Sequence, residues 1–260
     1  AGIVGGASNN SLGIAGVNWG VKLLPVRVLG KCGGFDSDIM AAMRWAAGLT
    51  VPDIPDNPNP AGIINLSLGG VGTCNAAYRD TIAQLTAKGV LVVASAGNET
   101  GPVETPGNCA GVLAVGGVRH VGTKVGYSSL GPEVGISAPA GNCVNSSGAC
   151  LYSIQTTTNL GTSTPGTNSY SDAFNYNAGT SFAAPQAAGV AALMLSINPV
   201  LSPAEIISRL QQAARPFPSE DGLPTCPDVS SDDASLGQCN CTTSTCGAGL
   251  LDAATSLAAA

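Results

Sequence analysis

Charge, aromatic rings and histidine are all scarce in this chain. Its 260 residues hold 16 acidic and 10 basic side chains, a net charge of −6, 4% aromatics and a single His. The acidic balance excludes a nucleic-acid partner, because phosphate binding needs a basic face. No apolar run approaches the roughly 20 residues of a spanning helix, so no membrane partner is expected. The composition also lacks the signature of disorder, since 44% of residues are hydrophobic. No Walker A sequence occurs. Gly70-Val-Gly72 does not complete a Gly-x-Gly-x-x-Gly fingerprint, because Asn75 holds the last place. The start, Ala1-Gly-Ile-Val-Gly-Gly-Ala, has no Met, no basic region and no long apolar region, so it is not a signal peptide and reads as the middle of a longer sequence.

What is abundant is glycine (35), proline (17) and cysteine (nine). Nine Cys point to an oxidising compartment, hence secretion. The odd count leaves at least one thiol without a partner in the chain. The length suits one α/β domain, which can bury about 70–75% of its unfolded surface without relying on disulfides.

The pattern along the chain predicts buried parallel strands alternating with helices. Leu23-Leu-Pro-Val-Arg-Val-Leu reads as a buried strand. A helix follows over 35–48, capped by Asp36 or Ser37, with Ile39, Met43 and Trp45 on an apolar face. Four prolines in residues 52–60 make a surface connection. Residues 62–70 read as a strand, 75–88 as a helix, 90–96 and 111–118 as strands. Residues 120–178 hold short strands at most, and 218–247 form a Cys-rich loop region. Two more helices are predicted over 181–197 and 202–214. Ser202-Pro-Ala-Glu opens the second with a capping box. Right-handed crossovers would join the strands.

Ligands of open parallel sheets sit beyond the carboxyl ends of the strands. There stand Ser67-Leu-Gly-Gly, Gly97-Asn-Glu99 and Gly179-Thr-Ser-Phe-Ala-Ala-Pro185, which opens an Ala-rich helix. A Ser at a helix N-terminus has backbone N–H groups and the positive dipole end beside its hydroxyl, which suits an oxyanion. Taken alone, such a Ser is an ordinary cap. Pro185 is expected within the first turn, where its missing N–H costs little.

Gly179-Thr-Ser-Phe-Ala-Ala-Pro resembles the nucleophile motif of the subtilisin-like serine endopeptidases, the subtilases. Asn65-Leu-Ser-Leu-Gly-Gly and Ala94-Ser-Ala-Gly-Asn-Glu are similar to two further blocks of that family, in the same order, and Gly247-Ala-Gly-Leu-Leu-Asp-Ala to its closing segment. The likeness covers essentially the whole chain, in the style of the secreted, disulfide-containing bacterial members. It implies a three-layer α/β fold, a mostly parallel sheet flanked by helices, as one peptidase domain over 1–260. Ser181 would be the acyl-forming nucleophile. The Asn98 side chain and the Ser181 N–H would hold the oxyanion. Ser67, Leu68 and Gly69 would form one wall of the specificity pocket, with Ser95, Ala96, Gly97 and Thr180 at the other. Cys32-Gly33-Gly34 would be the opposite rim of the substrate cleft. Small walls would make a roomy pocket for a large apolar side chain. Glu99 is either a solvated loop acid or the base of that pocket. Implied partners are protein or peptide substrates and a cleaved N-terminal propeptide, with the enzyme a monomer.

The chain also departs from the family. The triad needs an Asp and a His before the Ser. The family's His-Gly-Thr-His-Val runs directly into Ala-Gly, which is how this chain begins. The one His, His120, lies in a polar turn unlike any family His motif, and no Asp resembles the triad Asp. The resemblance therefore implies that the Asp and His segments are missing, that the fold is truncated there, and that the isolated chain is inactive or nearly so. A peptide-binding pseudoprotease is the rival reading; retention of both Ser181 and Asn98 favours the enzyme.

By spacing, Cys74 could pair with Cys109 and Cys143 with Cys150. Cys226, Cys239, Cys241 and Cys246 can pair in three ways, of which 226–239 with 241–246 is favoured over the others and over a zinc site, since the spacing lacks Cys-x2-Cys knuckles. Cys32 remains, for which the resemblance supplies a partner before the His motif. Asn9-Asn10-Ser-Leu-Gly-Ile14 is an ordinary polar turn by composition. By resemblance it is a structural calcium loop, with the Asn10 side chain and the carbonyls of Ser8, Leu12 and Ile14 as oxygen ligands.

Overall fold

In the computed structural model the described residues are 1–142, 152–172, 177–229 and 237–260. Helices α1 (Gly2–Gly5), α2 (Asp36–Ala46), α3 (Ala76–Ala87), α4 (Thr180–Ile197), α5 (Pro203–Gln212) and α6 (Ala253–Ala258) surround two sheets. Strands β1 (Ile63–Leu66), β2 (Leu91–Ser95), β3 (Val112–Val118) and β4 (Val134–Pro139) form one parallel sheet in chain order. Strands β5 (Thr156–Asn159) and β6 (Asn168–Ser171) form a separate antiparallel hairpin.

The strands alternate strictly between two cores. Leu91, Val93, Leu113, Val115 and Ile136 face α4 and α5. Ile64, Leu66, Val92 and Ala94 face Ile39 and Met43 of α2 and Tyr78, Ile82 and Leu85 of α3. Helices on both faces explain why the strands read as continuous apolar runs. This is the expected three-layer α/β fold.

Helix α4 is long and apolar enough to cross a membrane by length and composition, but more than half of it is buried against the sheet. Its Ala183, Ala184, Ala187 and Ala191 are fully buried, so small side chains let the helix lie close to the strands. Ser202 and Glu205 form the predicted capping box of α5. Asn75 caps α3 by accepting from Tyr78 N–H at 2.9 Å. The closing segment runs beside β4: Ser137 N–H donates to Gly249 O at 3.0 Å and Leu251 N–H to Ser137 O at 2.8 Å.

Three expectations are corrected. Residues 23–29 are not a buried strand: Leu23 is 44% exposed and Leu29 43%, and the backbone is irregular. An apolar run becomes a strand only when a neighbour takes up its N–H and C=O groups. Among the described residues no strand does so, and β1 pairs only with β2. Helix α2 has no side-chain cap; Asp36 is already its first residue, favoured there by the helix dipole, and accepts from Tyr78 hydroxyl at 3.0 Å. Trp45 is half-buried rather than core, because its indole N–H reaches out to Pro55 O at 2.8 Å.

Cysteines 74 and 109 are bonded, as are 226 with 239 and 241 with 246. The sulfurs of Cys226, Cys241 and Cys246 lie within 4.8 Å of one another, but each is in a disulfide, which leaves no thiolate for zinc. Cys32 is free and exposed. Cys143 and Cys150 lie outside the described residues.

Candidate active site

The carboxyl ends of β1 and β2 and the start of α4 converge. Gly179 precedes the helix with φ +153°, a conformation that favours glycine. It swings the chain so that Thr180 and Ser181 enter the first turn facing the strand ends.

Thr180 is fully buried and joins the pieces. Its hydroxyl donates to Gly97 O at 3.2 Å and accepts from Gly97 N–H at 3.2 Å. Its backbone N–H donates to Asn98 Oδ1 at 2.9 Å, and its hydroxyl lies 3.1 Å from the same oxygen. With Oδ1 held by the Thr180 N–H, the Asn98 amide turns Nδ2 to the other side, where it makes no hydrogen bond among the described residues. Asn98 is itself exposed. Among the described residues nothing accepts from Ser181 N–H. A methyl built on Gly179 would lie 3.4 Å from Asn98 Nδ2 and 3.8 Å from Ser181 N, so one side-chain donor and one main-chain donor flank the same space at the start of α4, an arrangement that suits a tetrahedral oxyanion.

Ser181 hydroxyl donates to Ser67 O at 3.3 Å. Ser67 hydroxyl in turn donates to Ser181 O at 2.8 Å and accepts from Asn65 Nδ2 at 2.9 Å. Pro185 lies six residues into α4, beyond the first turn where it was expected. Its missing N–H would have served Ser181 O, and Ser67 takes that place.

The segments 67–69 and 95–97 face each other as two walls, tied where Ser95 hydroxyl donates to Leu68 O at 3.4 Å. A loop closes the space between them. Glu104 N–H donates to Ala96 O at 2.9 Å, and Gly70 and Thr105 exchange both main-chain bonds at 2.9 and 3.0 Å. The Glu104 carboxylate accepts from Asn98 N–H at 3.2 Å. Glu99 is exposed at the loop surface, so Glu104 and not Glu99 stands at the base between the walls. No spacing rule marks Glu104; it arrives through a loop that folds back from Cys109, itself fixed by Cys74.

Gly33 and Gly34 sit in an exposed turn in which Gly30 N–H donates to Gly33 O at 2.8 Å. Among the described residues they make no hydrogen bond to either wall. His120 is exposed and stacks on Tyr152 with ring centroids 3.7 Å apart. It borders a cavity lined by Arg119, Arg215, Pro218 and Leu250, which includes neither Ser181 nor Asn98.

In the 9–14 loop, Asn9, Ser11 and Gly13 all have positive φ, at 57°, 59° and 56°. Asn10 Oδ1 accepts from Leu12 N–H at 3.1 Å. The carbonyls of Ser8, Leu12 and Ile14 accept no hydrogen bond among the described residues. Oxygen donors without partners, in a loop wound by left-handed residues, fit the oxygen-only preference of calcium.

A helix-borne serine, an Asn amide beside the start of its helix and two strand-end walls make up the candidate site of this three-layer α/β fold. The Subtilase family profile matches residues 1–249, and the chain belongs to that family. It is 44% identical over 221 residues to an extracellular protease of Xanthomonas campestris pv. campestris, covering 84% of this chain and 36% of that protein. It is 40% identical over 223 residues to an extracellular basic protease of Dichelobacter nodosus, covering 84% and 34%. The chain thus spans about a third of the length of these relatives. A solved protease from Pseudoalteromonas arctica PAMC 21717 superposes with a TM-score of 0.84 at 40% identity, over 99% of this chain and 68% of that one.

Proposed function

We propose that this chain carries the nucleophile, oxyanion hole and specificity pocket of a secreted serine endopeptidase that cuts protein substrates through an acyl-enzyme on Ser181. The observation that carries the reading is the placing of the Asn98 amide: Thr180 N–H holds Oδ1 at 2.9 Å, and Nδ2 and Ser181 N flank one space, 3.4 and 3.8 Å from a methyl built on Gly179. A protein that only held peptides would have no chemical need for an aimed donor next to a nucleophile. In the reaction Ser181 Oγ attacks the scissile carbonyl carbon, the carbonyl oxygen gains the negative charge, and Asn98 Nδ2 with Ser181 N–H bind it. Ser67, Leu68 and Gly69 and, opposite, Ser95, Ala96 and Gly97 enclose the side chain before the cleaved bond. Gly33 and Gly34 offer a backbone edge to the substrate strand.

Attack also needs a base for the Ser181 proton and a carboxylate to orient that base. His120, the one His, is stacked on Tyr152 and makes no bond to Ser181. The 260 residues by themselves are therefore not competent for turnover. The extracellular names of the relatives and the disulfides support secretion. The 8–14 loop would hold a calcium ion through Asn10 and the carbonyls of Ser8, Leu12 and Ile14, stiffening the loop without touching the reaction. A propeptide and a monomeric state complete the reading.

The test is labelling by a fluorophosphonate probe, of the 260-residue chain and of the polypeptide expressed with its flanking coding sequence. Fast labelling at Ser181 in the longer form, absent in Ser181→Ala and slow in the isolated chain, is the expected result. Labelling at another residue, or none in the longer form, overturns the reading.

A further inference from the structure

The base of the pocket carries an acid, Glu104, that has no ionic partner among the described residues. A methyl group built on Gly97 would lie 2.5 Å from Glu104 Cδ, and one on Gly69 would lie 2.9 Å from Glu104 Oε2. Gly69 and Gly97 belong to opposite walls, so the Glu104 carboxylate spans the gap between them. Neither wall has a side chain at these points to compete with it for the space. The position is fixed by main-chain bonds to each wall, from Glu104 N–H to Ala96 O and between Thr105 and Gly70.

Oε1 accepts one hydrogen bond, from Asn98 N–H, and Oε2 accepts none among the described residues. No Lys or Arg among the described residues pairs with it; the ion pairs are Arg119–Glu220 and Arg215–Asp252. Glu104 is half-buried. A carboxylate can accept about four hydrogen bonds, and with a single donor among the described residues the remaining lone pairs of Glu104 stay open to a cation that enters between the walls.

We propose that Glu104 is the specificity determinant of this site and selects substrates with Lys or Arg immediately before the cleaved bond. The inference rests on the reading of Ser181 and Asn98 as the reacting centre, with the two walls as the pocket beside it. A Lys or Arg stem would pass between the small walls and place its charged head on Oε2. Arg can donate in a bidentate fashion and would gain most. A large apolar side chain, which the small walls alone would welcome, would instead cover the carboxylate and strip its water without a partner.

The experiment measures binding, so it does not depend on turnover. Acetyl-Ala-Ala-Pro-X-amide peptides, with X as Arg, Lys, Leu or Phe, are titrated calorimetrically into the chain carrying Ser181→Ala, with and without Glu104→Gln. Gln keeps the volume and the acceptor for Asn98 N–H, and circular dichroism checks that the variant folds. The Arg and Lys peptides are expected to bind about 10-fold or more tightly than Leu and Phe, an advantage lost in Glu104→Gln and reduced by added salt. Equal or tighter binding of Leu or Phe, or a basic preference that survives Glu104→Gln, overturns the inference and leaves the protease reading standing. No saturable binding of any peptide overturns the pocket itself, and this inference with it.

Discussion

Ser67 hydroxyl donates to Ser181 O at 2.8 Å, and Pro185 is the reason that carbonyl is open. In an uninterrupted helix the N–H four residues on would occupy it. The proline breaks that bond, and a side chain from the end of β1 replaces it. The first turn of α4, which carries Ser181, is thereby anchored to the 67–69 segment.

Because the two features compensate, they should couple. Ser67→Ala should cost about 0.5–1.5 kcal/mol, the usual net worth of one such bond. Pro185→Ala restores the helical donor, so the same Ser67→Ala change made on that background should cost clearly less. Urea denaturation of the four proteins in a double-mutant cycle reads the coupling. Additive effects would mean that Ser67 does not stand in for the lost helical bond.

Thr180 is the second anchor. Thr180→Val keeps the shape but leaves the buried Gly97 N–H without its acceptor, while Gly97 O keeps Ser129 N–H at 2.9 Å, so the change should cost about 1–3 kcal/mol through the orphaned N–H. Thr180→Ser keeps the hydroxyl and should recover most of it. If Asn98 holds the oxyanion as proposed, Asn98→Ala in the polypeptide expressed with its flanking sequence should lower kcat by about 10²–10³, the figure for losing one such side-chain donor in subtilisin, with little change in KM. If Thr180→Val left kcat intact, the hydroxyl would not be what aims the Asn98 amide.

Local signals were legible in the sequence, and contacts between loops were not. The capping box of α5 needs only Ser202 and Glu205, which lie within four consecutive residues, and it is there. The Ser181 and Asn98 motifs sit at strand ends and a helix start, places that topology favours for ligands whatever the details. The 23–29 run has the right composition for a strand, but a strand is a relation between two segments, and composition describes one. Strand β4 lay hidden in a Gly- and Ser-rich stretch because Gly135 and Ser137 are small where Gln211 and the closing segment pack against them. Glu104 was missed for the same reason. Its role comes from Gly69 and Gly97, which are 28 residues apart and meet only in the folded chain.

Lys124 gives a pH prediction. It is 1% exposed, and its ammonium donates to the carbonyls of Val125, Gly126 and Gly237 at 3.2, 3.0 and 3.3 Å. Burial lowers its pKa from 10.5 to about 8. Between those values the unfolded chain binds the proton more than the folded one does, so stability from this group rises with pH from about 8 to about 10.5. Below that window the charged amine is a constant cost of desolvation. The stability difference between wild type and Lys124→Met, followed by urea midpoints, should therefore shift in favour of wild type across the window. Parallel profiles would show that the ammonium keeps its ordinary pKa.

The Cys74–Cys109 bond should matter to the pocket as well as to stability. It joins residues 35 apart, a loop whose closure should contribute about 4 kcal/mol on chain entropy alone. It also pins the two ends of the region that supplies both walls' support: Cys74 follows the 67–70 wall, and Cys109 follows the loop carrying Glu104 and Thr105. Replacing the pair by Ala should lower the urea midpoint. If the bond also positions Glu104, the Arg-peptide affinity should fall more than the Leu-peptide affinity under conditions where the variant is still folded. An equal loss for both peptides would assign the disulfide to stability alone, since a carboxylate that has moved is felt by the cationic side chain and not by the apolar one.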